Sequence, residues 1–279
     1  MVQASVLSDR SVIAVGGAEA RSFLQGLVSN DMENCAPGRA IYAALLTPQG
    51  KILYEFFVTE SDGRFLVDCS SARAAELIKR LTFYRLRAKI DIALAPDLAV
   101  KAVWEGQATL ERSAHTIAFA DPRLTALGFR MIGPRAVLEA ATVGFRHGDY
   151  QAHRLRLGVP DSADLPPDTV FALDAGFEEL GGVDFKKGCY VGQEVTARMK
   201  HRASARRRFM IAEFEDEPPP PGTKLDSMGR DLGTFATGAG RRALALVRLD
   251  RLDEARGANA PITAAGKPVN LQKPSWLLP

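Results

Sequence analysis

Residues 186–194 read KKGCYVGQE and concentrate more chemistry than any other stretch of the chain. Cys189 stands between two lysines and a Gln-Glu pair, and Gly188 and Gly192 flank it at positions that favour a loop over a regular element. Lys186 and Lys187 favour the thiolate over the thiol, and Glu194 opposes them if it faces the sulfur. A thiolate on such a loop suits metal ligation, nucleophilic attack or redox sensing. The alternative is a buried structural cysteine, but Gly, Lys, Gln and Glu are poor core material. A basic cluster follows directly: Arg198, Lys200, His201, Arg202, Arg206, Arg207 and Arg208. It reads either as a binding surface for phosphates or RNA or as a solvated basic strand, and no aromatic residue is interleaved for base stacking.

The other cysteines add little to that thiol. Cys35 and Cys69 lie far from Cys189 and from each other, so neither a CxxC pair nor a disulfide framework can form locally. A self-contained zinc or iron-sulfur site of the local type is excluded, whereas one cysteine can still share a cluster with a partner. A net charge of +3 is too small to imply nucleic-acid binding by itself. With 46% hydrophobic and 25% charged residues the composition is that of an ordinary globular protein. No run approaches the ~18 to 20 apolar residues of a membrane helix, and the first residues show no basic region followed by an apolar one. A cytoplasmic protein without membrane contact is the expectation.

The elements that must carry the loop follow from periodicity. Residues 12–15 read as a strand, and a helix from about 18 places Phe23, Leu24, Leu27 and Val28 on one face before ending at Ser29, Asn30 and Asp31. Residues 41–46 and 52–59 form a hairpin around Thr47-Pro48-Gln49-Gly50. A strand at 65–69 leads to a helix capped by Ser70 or Ser71, with Ala74, Leu77, Ile78 and Leu81 on one face. A strand at 88–94 and short strands between 98 and 132 follow, then helices at 134–140 and 150–157. The texture changes near 205–208, and the remainder reads as a small all-β module with Gly and Pro at its turns.

KGCYVGQE, followed by Arg198, closely resembles the signature of the YgfZ-type folate-binding proteins, relatives of the aminomethyltransferase (T-protein) of the glycine cleavage system that include mitochondrial iron-sulfur assembly factors. Phe23-Leu24-Gln25-Gly26 with Asn30-Asp31, the 46–50 turn, Tyr84-Arg85-Leu86-Arg87 and Gly158-Val159-Pro160 are similar to further segments of that family. The resemblance implies an α+β fold: an aminomethyltransferase-like body, residues 1–207, of mixed α/β subdomains around a central cavity, the second subdomain at roughly 97–147, and a C-terminal β-barrel-like module at 208–279. It implies a tetrahydrofolate-binding accessory protein, a monomer, that supports assembly or repair of iron-sulfur clusters in client enzymes, tRNA-modifying enzymes among them. Cys189 is then the functional thiol, in transient contact with a cluster. Lys187 and Gly188 set its charge and loop shape, and Gln193 and Glu194 orient its neighbours. Asn30, Asp31, Asp68, Tyr84, Arg85, Arg87 and Arg198 are the candidates for folate, with no metal held by the chain alone. Each has a plain alternative: Asn30 and Asp31 terminate the first helix, Asp68 caps the second with Ser70, and Tyr84 is core. Where the transferases carry an acidic pair this chain reads Tyr54-Glu55, which point to opposite faces of a strand. That departure demotes a folate-dependent aminomethyl or methyl transferase or demethylase using Glu55 or Asp68, and leaves RNA binding through 198–208 as the remaining alternative.

Overall fold

The computed structural model describes residues 2–105, 115–140, 147–202 and 205–277. Its centre is a five-stranded antiparallel sheet in the order Ile41–Leu46, Ile52–Ser61, Arg64–Ser70, Arg10–Gly16, Asp91–Leu94. Strict alternation along these strands gives the sheet two buried faces. Ile13, Val15, Ala43, Phe56, Val58 and Val67 point to one face and pack against helices α1 (Ala20–Gln25) and α2 (Ala74–Arg85) through Leu24, Leu77 and Leu81. Val12 and Leu66 point to the other, against a four-stranded sheet ordered Gln3–Val6, Leu98–Trp104, Phe129–Pro134, Ile117–Ala120. Tyr42, Ala44, Leu46 and Phe57 on that same face meet the loops of residues 165–183 and the C-terminal module. Short helices α3 (Arg135–Ala140) and α4 (His147–Leu157) flank the second sheet. The expected subdomain at 97–147 lies partly outside the described residues.

Helix α5 (Gln193–His201) follows the cysteine loop, where periodicity predicted only a basic strand or turn. The C-terminal module is a seven-stranded antiparallel sheet beginning at Arg207, and it curls so that Met210, Leu225, Phe235, Ala245, Ala264 and Leu271 share one core. It is not all-β: α6 (Leu249–Gly257) packs Leu252 and Ala255 into that core. The first helix is also shorter than its apolar spacing predicts. It ends at Gln25, and Val28 instead bridges to Leu45 of the sheet, because tertiary pairing outweighs the local period once Gly26 weakens the helix.

Candidate functional site

Cys189 lies exposed in the loop before α5, while Cys35 and Cys69 are buried and their thiols are pushed up to about 12 by burial. Only one thiol is therefore available to a partner. The loop that presents it is fastened at both ends to segments distant in sequence. Asn30 donates to Tyr42 O at 2.8 Å and Gly181 O at 2.7 Å, and its own oxygen accepts from the Asp31 N–H. Ser29 donates to Gly182 O at 2.6 Å and accepts, through its carbonyl, from the Asp184 N–H. Asp184 in turn receives the N–H groups of Lys186 and Lys187 at 2.6 and 3.1 Å.

Lys187 points inward, not toward the thiol. Its ammonium donates to Gln25 O, at the last residue of α1, at 2.7 Å and to Val28 O just beyond it at 2.5 Å. Burial pushes this lysine down to about 8, against the pull of Asp31 and Asp184. Its role is anchorage, which corrects the expectation that it sets the charge around Cys189. Gly188 carries no positive φ, so the loop's shape owes nothing to left-handed backbone there. Gly192 does: at φ +84° it stands at the N-cap just before α5, and a Cβ would come within 2.5 Å of Thr47 O. The Thr47–Gly50 turn thus sits against the start of α5, with Val195 and Thr196 in contact with Gly50. The 25–31 and 47–50 segments converge with residues 181–196, more than a hundred residues further along, to hold one exposed sulfur.

Gln193 opens α5, and Glu194 is exposed and pairs with Arg198 at 2.9 Å along the helix. Arg198 consequently braces the helix face, and the basic run behind it does not form one stripe of free cations. Lys200 pairs with Glu178 at 2.6 Å, and Arg208 donates to Leu173 O and lies 3.6 Å from Glu179.

Apart from the neighbours Asn30 and Asp31, no hydrogen bond or ion pair joins the residues carried over for folate to one another among the described residues. Asp31 accepts from Gln25 at 2.9 Å and from the Glu33 N–H at 3.0 Å, ordering the turn after α1. Tyr84 is half-buried on the core of α2, and Arg85 and Arg87 are exposed at that helix's far end. Asp68 is fully buried and caps nothing; the Ser70 side chain makes no cap bond either. Asp68 instead lies at the centre of an ionic network that residue types alone did not reveal. Arg10 reaches Asp68 at 2.6 Å and Glu55 at 2.5 Å, and Arg130 reaches Asp68 at 2.6 Å and Asp121 at 3.1 Å. Arg123 closes the set on Asp121 at 2.8 Å, and Tyr150 OH accepts from both Arg123 and Arg130. Phe57 stacks beneath, with the Arg130 guanidinium 3.9 Å from its ring centre. Burial disfavours the charge on Asp121, yet Arg123 and Arg130 outweigh it and hold its carboxyl at about 2. A sequence signal existed: Arg130 alternates with the apolar Phe129 and Met131 on the same inward phase as Ile132, a phase that charged residues occupy only when paired.

This network fills the junction of the sheets. Glu55 is clamped by Arg10 and by the Ser162 hydroxyl, and the cleft beside it, lined by Tyr54, Cys69, Arg73 and Ser162, measures about 10 Å³. That is room for about one water. A pterin does not fit in that cleft. Both Asp68 oxygens are held by arginines, whereas Glu55 keeps its buried Oε2 without a hydrogen-bond partner beside this cleft, its Oε1 being held by Arg10 and Ser162.

Comparison with known proteins agrees with this architecture. Residues 5–104 match the family described as the GCVT N-terminal domain, and residues 206–278 match the CAF17 C-terminal beta-barrel domain. A crystal structure of glycine cleavage system aminomethyltransferase T from Bartonella henselae superposes with a TM-score of 0.75 over 99% of this chain and 86% of that one, at 17% identity, which establishes the shared fold. The iron-sulfur cluster assembly factor IBA57, mitochondrial, of Homo sapiens is 34% identical over 88% of this chain and 77% of its own length. The Mus musculus protein of the same name is 32% identical over the same shares. These mitochondrial relatives overturn the cytoplasmic expectation, which rested on the lack of a membrane-length apolar run and of a basic-then-apolar start. The chain belongs to the family of GcvT-like iron-sulfur cluster assembly factors that includes IBA57.

Proposed function

We propose that this protein is a monomeric accessory factor in iron-sulfur cluster assembly that offers Cys189 as a single thiolate ligand to a cluster held mainly by a partner protein. The observation that carries this reading is one exposed sulfur on a loop anchored through Lys187, Asn30 and Gly192, while the other two cysteines are buried. One thiolate cannot hold a cluster alone; it can complete the coordination of one whose other ligands come from a second protein. Binding to iron requires the sulfur to lose its proton, which passes to solvent from this exposed position. A rigid loop lowers the ordering cost of that contact.

The clients are cluster-containing enzymes, with tRNA-modifying enzymes entering by the resemblance alone. Tetrahydrofolate enters by the resemblance alone, and no step is assigned to it. The test uses cells that lack the protein. Cys189→Ala is expected to fold as wild type and to restore no activity of iron-sulfur enzymes, whereas the wild-type chain restores it. Full restoration by Cys189→Ala would remove the role given to this sulfur.

A further inference from the structure

The basic run behind α5 leaves Arg207 without a partner for its guanidinium. Its backbone N–H donates to Asp174 at 3.4 Å, but its side chain makes no hydrogen bond or ion pair among the described residues. It lines a cleft of about 300 Å³ between the 163–170 loop of the body and the outer wall of the C-terminal module. That volume lies at the lower end of the roughly 300–1,000 Å³ of small-molecule sites, which favour such domain boundaries. Val170, Phe209, Ala236 and Leu246 give the cleft an apolar lining. Asp164 is the carboxylate in the lining, and it is already engaged. One of its oxygens accepts from Thr237 N–H and hydroxyl, and the other from Arg154 at 2.5 Å and the Asp161 N–H at 3.1 Å. The cleft therefore presents one guanidinium free of hydrogen bonds above an apolar floor, its charge offset only in part by the nearby Asp174 carboxylate.

We propose that this cleft binds a small molecule with a flat apolar body and a single anionic group, a carboxylate or sulfonate, which Arg207 pairs with in forked geometry. A cation is repelled, and a polyphosphate finds one guanidinium for several charges. The apolar body takes its affinity from the floor and the anion its orientation from Arg207. Neither Cys189 nor any residue carried over for folate contributes to the lining, so the site is independent of the cluster-assembly reading.

Two fluorescent probes of nearly the same shape test it: 8-anilinonaphthalene-1-sulfonate and its uncharged counterpart N-phenyl-1-naphthylamine. The native, full-length chain is expected to bind the sulfonate saturably at one site and more tightly than the neutral dye. Arg207→Ala weakens the sulfonate about tenfold and leaves the neutral dye unchanged. Thr234→Trp, at an exposed position of the cleft, removes both without lowering the melting temperature. Cys189→Ala binds both dyes as wild type. Absence of saturable binding to the wild-type chain, or binding that survives both Arg207→Ala and Thr234→Trp, overturns the proposal.

Discussion

The buried junction and the cysteine platform both tie distant segments together with polar groups, yet they end in opposite states. At the junction Arg10, Arg123 and Arg130 face Glu55, Asp68 and Asp121, three charges against three, and the guanidiniums are spent on one another's partners. At the platform every tether is likewise satisfied, but the tethers surround a sulfur that remains exposed. Internal pairing, with only Glu55 Oε2 left over among the junction's carboxylates, makes structure, and a paired frame around one open group makes a site. The transferase-like fold thus places its free chemistry at the surface loop, while the position of its relatives' acidic pair has become part of the core.

The largest expected effect tests the junction. Arg130→Ala leaves Asp68 and Asp121 buried without a shared partner, and such a break costs about 3–5 kcal/mol. Chemical denaturation followed by circular dichroism measures it; a loss below about 1 kcal/mol would place the network on the same footing as a surface pair.

Acid provides the next test. Asp121 is held at about 2 in the folded chain, below its ordinary value near 3.8, so its contribution of about 2 kcal/mol is present above pH 4 and disappears as pH falls toward 2. Melting curves across that window are expected to drop, and Asp121→Asn, already destabilised at neutral pH, is expected to show a shallower fall.

Gly192→Ala addresses the platform's frame. The left-handed backbone and the approach to Thr47 O predict a loss of roughly 1–3 kcal/mol. Protease cleavage within 186–192 is expected to accelerate. Unchanged protection would mean that the Thr47–Gly50 turn does not hold the loop.

Cys189→Ala is expected to change stability least, within about 0.5 kcal/mol, as for an exposed side chain outside any network. A large drop in melting temperature would erase the contrast between the two regions. Lys187→Met sharpens it from the other side. Because burial lowers the folded-state value to about 8 while the unfolded value stays near 10.5, wild-type stability gains a contribution as pH rises from 8 toward 10, and that gain is expected to vanish in the methionine variant.

Local patterns carried much of the fold. The hairpin around Thr47–Gly50, α2, the alternation that sends Tyr54 and Glu55 to opposite faces, and the loop character of Cys189 all depend on neighbours within a few residues. Helix α5 was hidden because its arginines and lysines resemble a basic turn, and α6 because strands surround it in sequence. Asn30 and Asp31 carried a family signature but not its meaning, since the carbonyls Asn30 binds at Tyr42 and Gly181 lie 12 and 151 residues away. Asp68 offered a cap to a helix next to it in sequence and instead met arginines 58 and 62 residues distant.

The sequence by itself determined that one cysteine lies on a Gly-flanked turn, that no second thiol stands near it, and which residues alternate inward on each strand, because these follow from composition and from local backbone geometry. Only the tertiary structure decided that Lys187 turns away from the sulfur to hold the end of α1, that guanidiniums and carboxylates pair at the buried junction of the sheets, and that Arg207 is left facing a cleft. Those outcomes depend on which charges meet once the layers pack. A charge's effect is set by its distance to partners and by exclusion of water, and neither exists until distant segments are brought together.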